Sequence, residues 1–135
     1  MAQLIRATAS HTRWGYFFGI DGSGGPFNAS LLLLQPSHYD ADINHTWNSG
    51  RFAPDVMLRL TFDRPVTILK LCPSMKPAEG RVGLVITAGS RKTPHYELWQ
   101  EGEWVAIALP EPSSDLLIEF MESPSWIALH AVDAS

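Results

Sequence analysis

The residues best suited to recognise a ligand are aromatic side chains beside a glycine-rich stretch, residues 14–26. A sugar binds where a flat apolar ring covers its C–H face and polar groups reach its hydroxyls. The predicted ligand-binding residues combine such rings with nearby cationic and imidazole groups: Arg13, Trp14, Tyr16, His38, Tyr39, His45 and Arg51. Taken singly, each is better explained as a structural or solvated residue, so the prediction rests on the cluster.

A second group of polar residues alternates along the chain after Tyr39. Asp40, Asp42 and Asn44 occupy alternate positions, and Thr46 follows them. Calcium prefers carboxylate, amide and backbone carbonyl oxygens, so these four residues are predicted as a calcium site. The alternative is an Asx-rich turn that is held by its own side-chain to backbone hydrogen bonds. Calcium is the one cofactor that the sequence suggests.

The common enzyme motifs are missing from the sequence. In the segment Asp21-Gly-Ser-Gly24, Asp21 stands where the nucleophile elbow of hydrolases has a glycine. No phosphate-binding loop ending in Gly-Lys-Ser or Gly-Lys-Thr occurs. The five histidines lack the HxxxH and HxH spacings of zinc sites. We therefore expect a protein without catalytic activity.

The length and charge bound the remaining possibilities. A chain of 135 residues has the size of one domain, 1–135, with a single core. Its formal net charge of −4 argues against binding to nucleic acid or anionic lipid. No signal peptide is predicted, and no stretch approaches the roughly 18 apolar residues of a membrane span. The cellular compartment therefore stays open, and so does the oligomeric state, with a homo-oligomer among the alternatives.

Short apolar runs separated by glycine and proline dominate the sequence. The alternation in residues 55–62 and the apolar run 66–72 predict two strands separated by a proline. Residues 95–100 and 104–109 flank a three-residue link with a central glycine and are predicted to pair as a hairpin. Further strands are predicted at 4–9, 30–35, 82–87, 115–121 and 126–132. So many short strands predict an all-β, antiparallel sandwich or jelly roll rather than an α/β fold.

Residues 39–49 carry an Asp, a short polar loop and the pair Thr46-Trp47, and a strand ending near Pro65 follows. With the Trp-containing segment 96–105 and the closing run 127–132, this pattern resembles the discoidin or coagulation-factor C-type family, also called galactose-binding-like domains. The resemblance covers residues 39–132, and Ala41 stands where the family has glycine.

The resemblance implies a jelly roll of about eight strands that binds a ligand through the loops at one end. It implies no family-wide enzymatic activity. It also implies a calcium ion near the Asp-rich loop, completed by a Glu in the last strand. The corresponding positions here are His130 and Ala131, and neither is an anionic oxygen ligand.

The tryptophans divide between core and surface. The resemblance favours a buried, core-packing role for Trp47, and the same role is predicted for Trp104 and Trp126. Strand alternation places Trp99 opposite Tyr96 and Leu98, where burial and partial exposure both remain open. Cys72 lies in the middle of a strand and is predicted to be a small buried hydrophobe.

These observations predict a lectin-like recognition module that binds carbohydrate through loops at one end of a β-sandwich. Its affinity alone would be weak and would depend on multivalency. The alternative is a protein–protein assembly module, an accessory piece of a larger complex or viral particle. The apolar runs 17–20 and 31–34 favour it, because they could form an interface.

Overall fold

Seven antiparallel strands account for most of the residues that the computed structural model describes, which are 2–10, 32–33, 47–50, 52–75 and 78–135. The strands are β1 (Leu4–Ala9), β2 (Trp47–Asn48), β3 (Val56–Pro73), β4 (Glu79–Ala88), β5 (Arg91–Gln100), β6 (Val105–Glu122) and β7 (Ala128–Ala134). The predicted all-β antiparallel sandwich is confirmed. Within this described part of the chain, no helix has the length and apolar character needed to cross a membrane.

Two long strands, β3 and β6, run through both layers of the sandwich. In the first layer, the first half of β3 pairs with β1 and with the second half of β6, and β4 and β5 follow. In the second layer, the second half of β3 pairs with the first half of β6 and with β7, which pairs with β2. The ring of Trp47 on β2 lies 6.2 Å from that of Phe120 on β6, so the two layers share one core.

The predicted break at Pro65 is wrong, because β3 continues through this residue. Register shifts fall between Thr61 and Val66, so the proline lies where the ladder to β6 has no paired residue. Pro110 and Pro112 lie within β6 in the same way. Proline is tolerated at such irregular positions because no ladder hydrogen bond is required from it, and bulges there let a strand bend between layers.

The predicted hairpin of residues 95–100 and 104–109 is also wrong. Strand β5 pairs with β4 through the two-residue turn Gly89-Ser90, where Gly89 has a φ of 62°. Strand β6 instead pairs with β3 and β4. The link between β5 and β6 therefore connects the two layers.

The strand predicted at residues 30–35 falls largely outside the described residues. Leu32 and Leu33, which are described, form a turn of 3₁₀ helix instead. Leu32 is buried in the core and Leu33 packs against it. These two residues therefore supply core contacts and not an exposed interface. Cys72 is buried, as predicted.

A carboxylate fastens the β4–β5 turn to β6 and makes stability sensitive to acid. Glu111 accepts hydrogen bonds from the backbone N–H and the hydroxyl of Ser90, and these bonds hold the pKa of the Glu111 carboxyl below its usual value. A lowered pKa in the folded state gives stability that is present above about pH 4.5 and is lost as the pH falls through the folded pKa.

Glu111→Gln is therefore expected to reduce the loss of stability between pH 7 and pH 3, as measured by urea unfolding at both pH values. Glu103→Gln is the matched control, since its side chain makes no hydrogen bond or ion pair within the described residues. An identical acid-dependent loss in Glu111→Gln and wild type would contradict the prediction. Asp63, whose pKa is lowered mainly by the Gln3 backbone N–H, keeps some acid sensitivity in all three proteins.

Candidate ligand-binding pocket

The residues predicted from the sequence to bind a ligand or calcium lie outside the residues that the structure describes. These are Arg13, Trp14, Tyr16, His38, Tyr39, His45 and Arg51 for the ligand, and Asp40, Asp42, Asn44 and Thr46 for calcium. Their grouping stays a prediction. Most of them lie in sequence between the described residues Ser10 and Trp47. The Ser10 N–H donates to the Met57 carbonyl, and Trp47 pairs with Leu129.

The strand ends near Met57 and Leu129 form the end of the sandwich that we call the pocket end. Because β3 bends from one layer into the other, it both begins and ends here. At this end β4 also begins, β5 ends, and residues 123–127 connect β6 to β7. The links 101–104 and 123–127 both pass from one layer to the other at this end. Where connections cross between layers, the side chains below them are left without a covering strand, and a pocket forms.

The pocket lies beneath the 123–127 connection. It is mostly apolar and has a volume of about 20 Å³. Its described lining residues are Pro73, Ser74, Met75, Val82, Trp99, Ser123, Pro124, Ser125, Trp126, Ile127 and Ala128. None of these side chains carries a charge, and three are serines.

Hydrogen bonds hold the connection over the pocket. The Ser123 hydroxyl accepts from the Ala53 N–H at 3.0 Å and donates to the Ser125 carbonyl at 2.7 Å. Ser49 bonds both backbone groups of Ile127, through its own N–H and its hydroxyl. The pocket is therefore formed before any ligand arrives, which removes an ordering cost from binding.

Gly80 on β4 lets the connection approach the sheet. A Cβ at this position would lie 2.3 Å from Cγ of Pro124, which is closer than real contacts allow. Pro124 thus packs directly on the strand backbone and closes one side of the pocket. The glycine is needed for this close approach.

Two tryptophans border the pocket in different ways. Trp126 is 41% exposed and presents its ring at the rim. Trp99 is 2% exposed, and its indole Nε1 is buried and makes no hydrogen bond within the described part of the chain. The pocket therefore has an exposed aromatic surface at its mouth and a buried one in its wall.

The structure corrects the sequence interpretation for Trp104 and Trp126 and decides the open alternative for Trp99. Trp126 and Trp104, predicted to be buried, are 41% and 42% exposed because they precede β7 and β6 and lie in connections. Trp99 is buried, while Tyr96 and Leu98 face outward. The alternation was right, and burial rather than exposure was the outcome for Trp99.

Glu101 joins three segments beside the pocket. One carboxylate oxygen lies 2.8 Å from Nε2 of His130 on β7, and the other accepts the backbone N–H of Met75, a residue of the pocket wall. His130 is 8% exposed. The turn that contains Glu101 is therefore tied both to the last strand and to the pocket wall.

We expect Glu101→Ala to lower the free energy of unfolding by about 1–2 kcal/mol, because a backbone donor and a buried imidazole both lose this partner. Urea unfolding at pH 7 measures the change. Glu103→Ala, two residues away in the same turn, is expected to change stability by less than about 0.5 kcal/mol. Equal stabilities of the two variants would contradict a role for Glu101 beyond that of a surface charge.

His130 occupies the position where the resemblance expects an anionic calcium ligand. Its imidazole contacts Glu101 instead of presenting an anionic oxygen. Among the described residues, no group of three or more His, Cys, Asp or Glu side chains could hold a metal ion. Position 130 therefore does not supply the anionic oxygen ligand that the resemblance expects.

The sequence interpretation missed the described residues that form this pocket. Ser74, Ser125 and Trp126 come from strand ends and a Ser- and Pro-rich turn that look like ordinary connections. An exposed aromatic, Phe52, also lies at this end, next to Ala53, which bonds the 123–127 connection. The available signal is an aromatic residue directly after a compact turn, Trp126, which the apolar pattern instead predicts to begin a strand.

Solved structures with a similar fold exist for this chain, whereas comparison at the level of sequence finds no relative. No family model matches this sequence, and no curated protein matches it either. The CBM32 of AlyQ, in complex with 4,5-unsaturated mannuronic acid, superposes with a TM-score of 0.66 at 12% identity, over 100% of this chain and 98% of that one.

Two other solved structures have similar overlap. Chitosan-binding module 1 from the chitosanase/glucanase of Paenibacillus sp. IK-5 has a TM-score of 0.59 at 15% identity, covering 96% of this chain and 93% of that one. CpGH89CBM32-5 from Clostridium perfringens, in complex with GalNAc-β-1,3-galactose, has a TM-score of 0.61 at 11% identity, covering 96% and 93%. The chain thus shares the galactose-binding-like β-sandwich fold of these modules.

Proposed function

We propose that this protein is a non-catalytic carbohydrate-binding module whose glycan binds at the pocket end of the sandwich. The observation that carries the proposal is the exposed ring of Trp126 at the mouth of a preformed pocket. A half-exposed indole offers a flat apolar surface for the C–H face of a sugar. Ser74 and Ser125, in the same lining, have hydroxyls that make no hydrogen bond within the described residues and can bond to sugar hydroxyls.

The pocket lining also supports a role in binding and not in catalysis. Glycoside cleavage uses paired carboxyl groups, and proton transfer generally needs a titratable side chain close to the substrate. The described lining residues are serines and apolar residues, without a His, Asp, Glu, Lys or Cys. The fold is shared with carbohydrate-binding modules, which agrees with this proposal but leaves the ligand to be decided by the site.

We also propose that the chain is a discoidin-like member of the galactose-binding-like group, and that the predicted ligand residues of 13–51 add polar contacts to the same glycan. We propose in addition that calcium binds at Asp40, Asp42, Asn44 and Thr46. The assembly alternative loses part of its support, because Leu32 and Leu33 of the run 31–34 are core residues.

A glycan array followed by calorimetric titration tests the proposal. We expect at least one sugar class to bind above background, with a weak monomer affinity, and the bound sugar to raise the melting temperature. Calcium and EDTA arms in the same melts test the metal, since a bound calcium must raise the melting temperature reversibly. No binding to any sugar, with an intact fold, together with a defined oligomer in light scattering, would favour the assembly module instead.

A further inference from the structure

One edge of the second layer, the first half of β6, has a neighbouring strand on one side only. Residues 105–109 pair with β3, and among the described residues no strand pairs with their other side. Ala106 and Ala108 in this segment are both exposed. We call residues 105–109 the β6 edge.

The direction of the backbone groups along the β6 edge follows from its neighbour β3. Ile68 exchanges two backbone hydrogen bonds with Ser135, on the β7 side of β3. Because directions alternate along a strand, Leu69 points its backbone groups the other way, toward β6, where it pairs with Ile107. The same alternation along β6 points the N–H and C=O groups of the two alanines away from the sheet.

The β6 edge lacks the features that usually keep a strand edge from pairing with another chain. Natural edges are protected by charged side chains, especially lysine, and by proline. Strand β5, an edge strand of the first layer, contains Lys92, Pro94 and Glu97. The β6 edge reads Val-Ala-Ile-Ala-Leu and has neither a charge nor a proline. Of these two edges, that of β6 is the one open to a further strand.

The β6 edge also matches a second copy of itself. An antiparallel pair centred on Ile107 places Ala106 opposite Ala108 of the second copy. The outward-pointing backbone groups of these alanines then face each other and can exchange hydrogen bonds in both directions. The same pairing places Val105 opposite Leu109. Both are half-buried apolar residues whose remaining surface is then covered, and no like charges oppose each other within the paired segment.

We propose that the β6 edge is a dimerisation surface, and that its partner is a second copy of this chain added as an antiparallel strand. The second layers of the two copies then form one continuous sheet across a two-fold axis at Ile107. The paired segment is short, so we expect a weak and reversible dimer. Association through this edge goes beyond the proposed function and does not depend on it.

The pairing also determines where the two pockets of the dimer lie. Val105 directly follows the link 101–104 at the pocket end, and Leu109 lies farther from that end. An antiparallel pair therefore directs the two pocket ends in opposite directions. With the proposed function, such a dimer bridges two separate glycans and does not hold one glycan in both pockets.

Sedimentation velocity of the unmodified protein tests the dimer without any sugar. We expect the apparent mass to rise from 15.0 kDa toward that of a dimer as the protein concentration increases from the micromolar to the millimolar range. A mass that stays at 15.0 kDa throughout would overturn the proposal. It would leave glycan binding standing, because no sugar takes part in the measurement.

Proline substitutions test which edge associates. The Ala106 N–H points outward, so Ala106→Pro blocks the edge without removing a hydrogen bond to β3, and the dimer Kd should rise by about tenfold or more. If this variant does not fold, Ala106→Lys combined with Ala108→Lys sets like charges opposite each other and should have the same effect. An unchanged dimer Kd in either folded protein would overturn the proposal.

Leu98→Pro is the matched control on the edge of β5. Ala88 and Arg91 close the two-residue turn as a hydrogen-bonded pair, so alternation along β5 points the Leu98 N–H away from β4. We expect this variant to keep the wild-type dimer Kd. Dimerisation that is lost in folded Leu98→Pro and kept in Ala106→Pro would assign the interface to β5 and overturn the proposal.

Disulfide cross-linking tests the register. Ala106→Cys and Ala108→Cys are oxidised separately and as an equimolar mixture, and Cys72 is buried and does not compete. The proposed pairing brings the two new cysteines of different copies into the range of a disulfide, so the mixture should give several-fold more cross-linked dimer than either protein alone. Equal yields in all three samples would overturn the symmetric pair about Ile107.

Discussion

Replacement of Trp126 by alanine is expected to weaken glycan binding by about tenfold or more, while the protein stays folded. The Trp126 side chain is 41% exposed and belongs to the pocket lining, so a sugar ring can lie against it. Loss of a central aromatic contact typically costs more than about 1.4 kcal/mol of binding free energy, which is tenfold in Kd. Calorimetric titration with the best array ligand measures the change.

Trp104→Ala is the matched control for this substitution. Trp104 is also a tryptophan in a connection at the pocket end, it is 42% exposed, and it is not among the residues that line the pocket. Its replacement should leave Kd within about twofold of wild type. Equal losses of affinity in the two variants would argue for a general effect of surface tryptophans, and an unchanged Kd in Trp126→Ala would remove the central observation behind the proposed function.

The strand content was predictable from the sequence because it depends on local patterns. Alternation in residues 55–62 and the apolar run 66–72 mark the two halves of β3, and the predicted strand 4–9 coincides with β1. Local patterns do not show whether a strand continues through a proline. That depends on whether a neighbouring strand needs the missing N–H, which is decided by the register with β6.

The partner of each strand was harder to predict than its position. The link 101–103 is a genuine tight turn, since Glu103 N–H bonds the Gln100 carbonyl and Gly102 has a φ of 72°. Yet the chain leaves this turn into the other layer, because Val105 pairs with Leu71 on β3. A turn fixes a change of direction locally, whereas the pairing is selected by apolar faces that are distant in sequence.

The candidate site shows the same division. A sugar-binding end of the sandwich was predicted from the resemblance, but the described pocket arises where two connections cross between layers. Ser74 lies directly after β3 and Trp126 shortly before β7. They come together through the pairing of β3 with β7, which the bond from the Ser74 N–H to the Ala128 carbonyl extends. No spacing in the sequence encodes this contact. The strand alternation indicates which residues share a face with Trp99, but not which face of β5 lies inward. That is set by the register with β4, where His95 and Glu97, on the Trp99 face, pair with the buried Leu84 and Val82.

Replacement of Trp47 by alanine is expected to have the largest effect on stability, with a loss of about 3–5 kcal/mol in the free energy of unfolding. Trp47 is fully buried, and its ring packs across the sandwich on Phe120. Its removal leaves a cavity between the two layers, which the long strands β3 and β6 cannot close without changing their register. Urea unfolding followed by circular dichroism measures the loss.

Two comparisons separate the role of the Trp47 ring from a general effect of losing a tryptophan. Trp47→Phe keeps an aromatic ring between the layers and should therefore cost clearly less than Trp47→Ala. Trp104→Ala removes a tryptophan of similar size that is partly exposed, so it should cost less than about 1 kcal/mol. If Trp47→Ala loses no more than Trp104→Ala, the two layers are not held together through this residue. The opposite ordering, with Trp47→Phe intermediate, ties the stability of the sandwich to packing across the layers. This packing also fixes Leu129, the partner of Trp47 on β7, beside the pocket-lining Ala128.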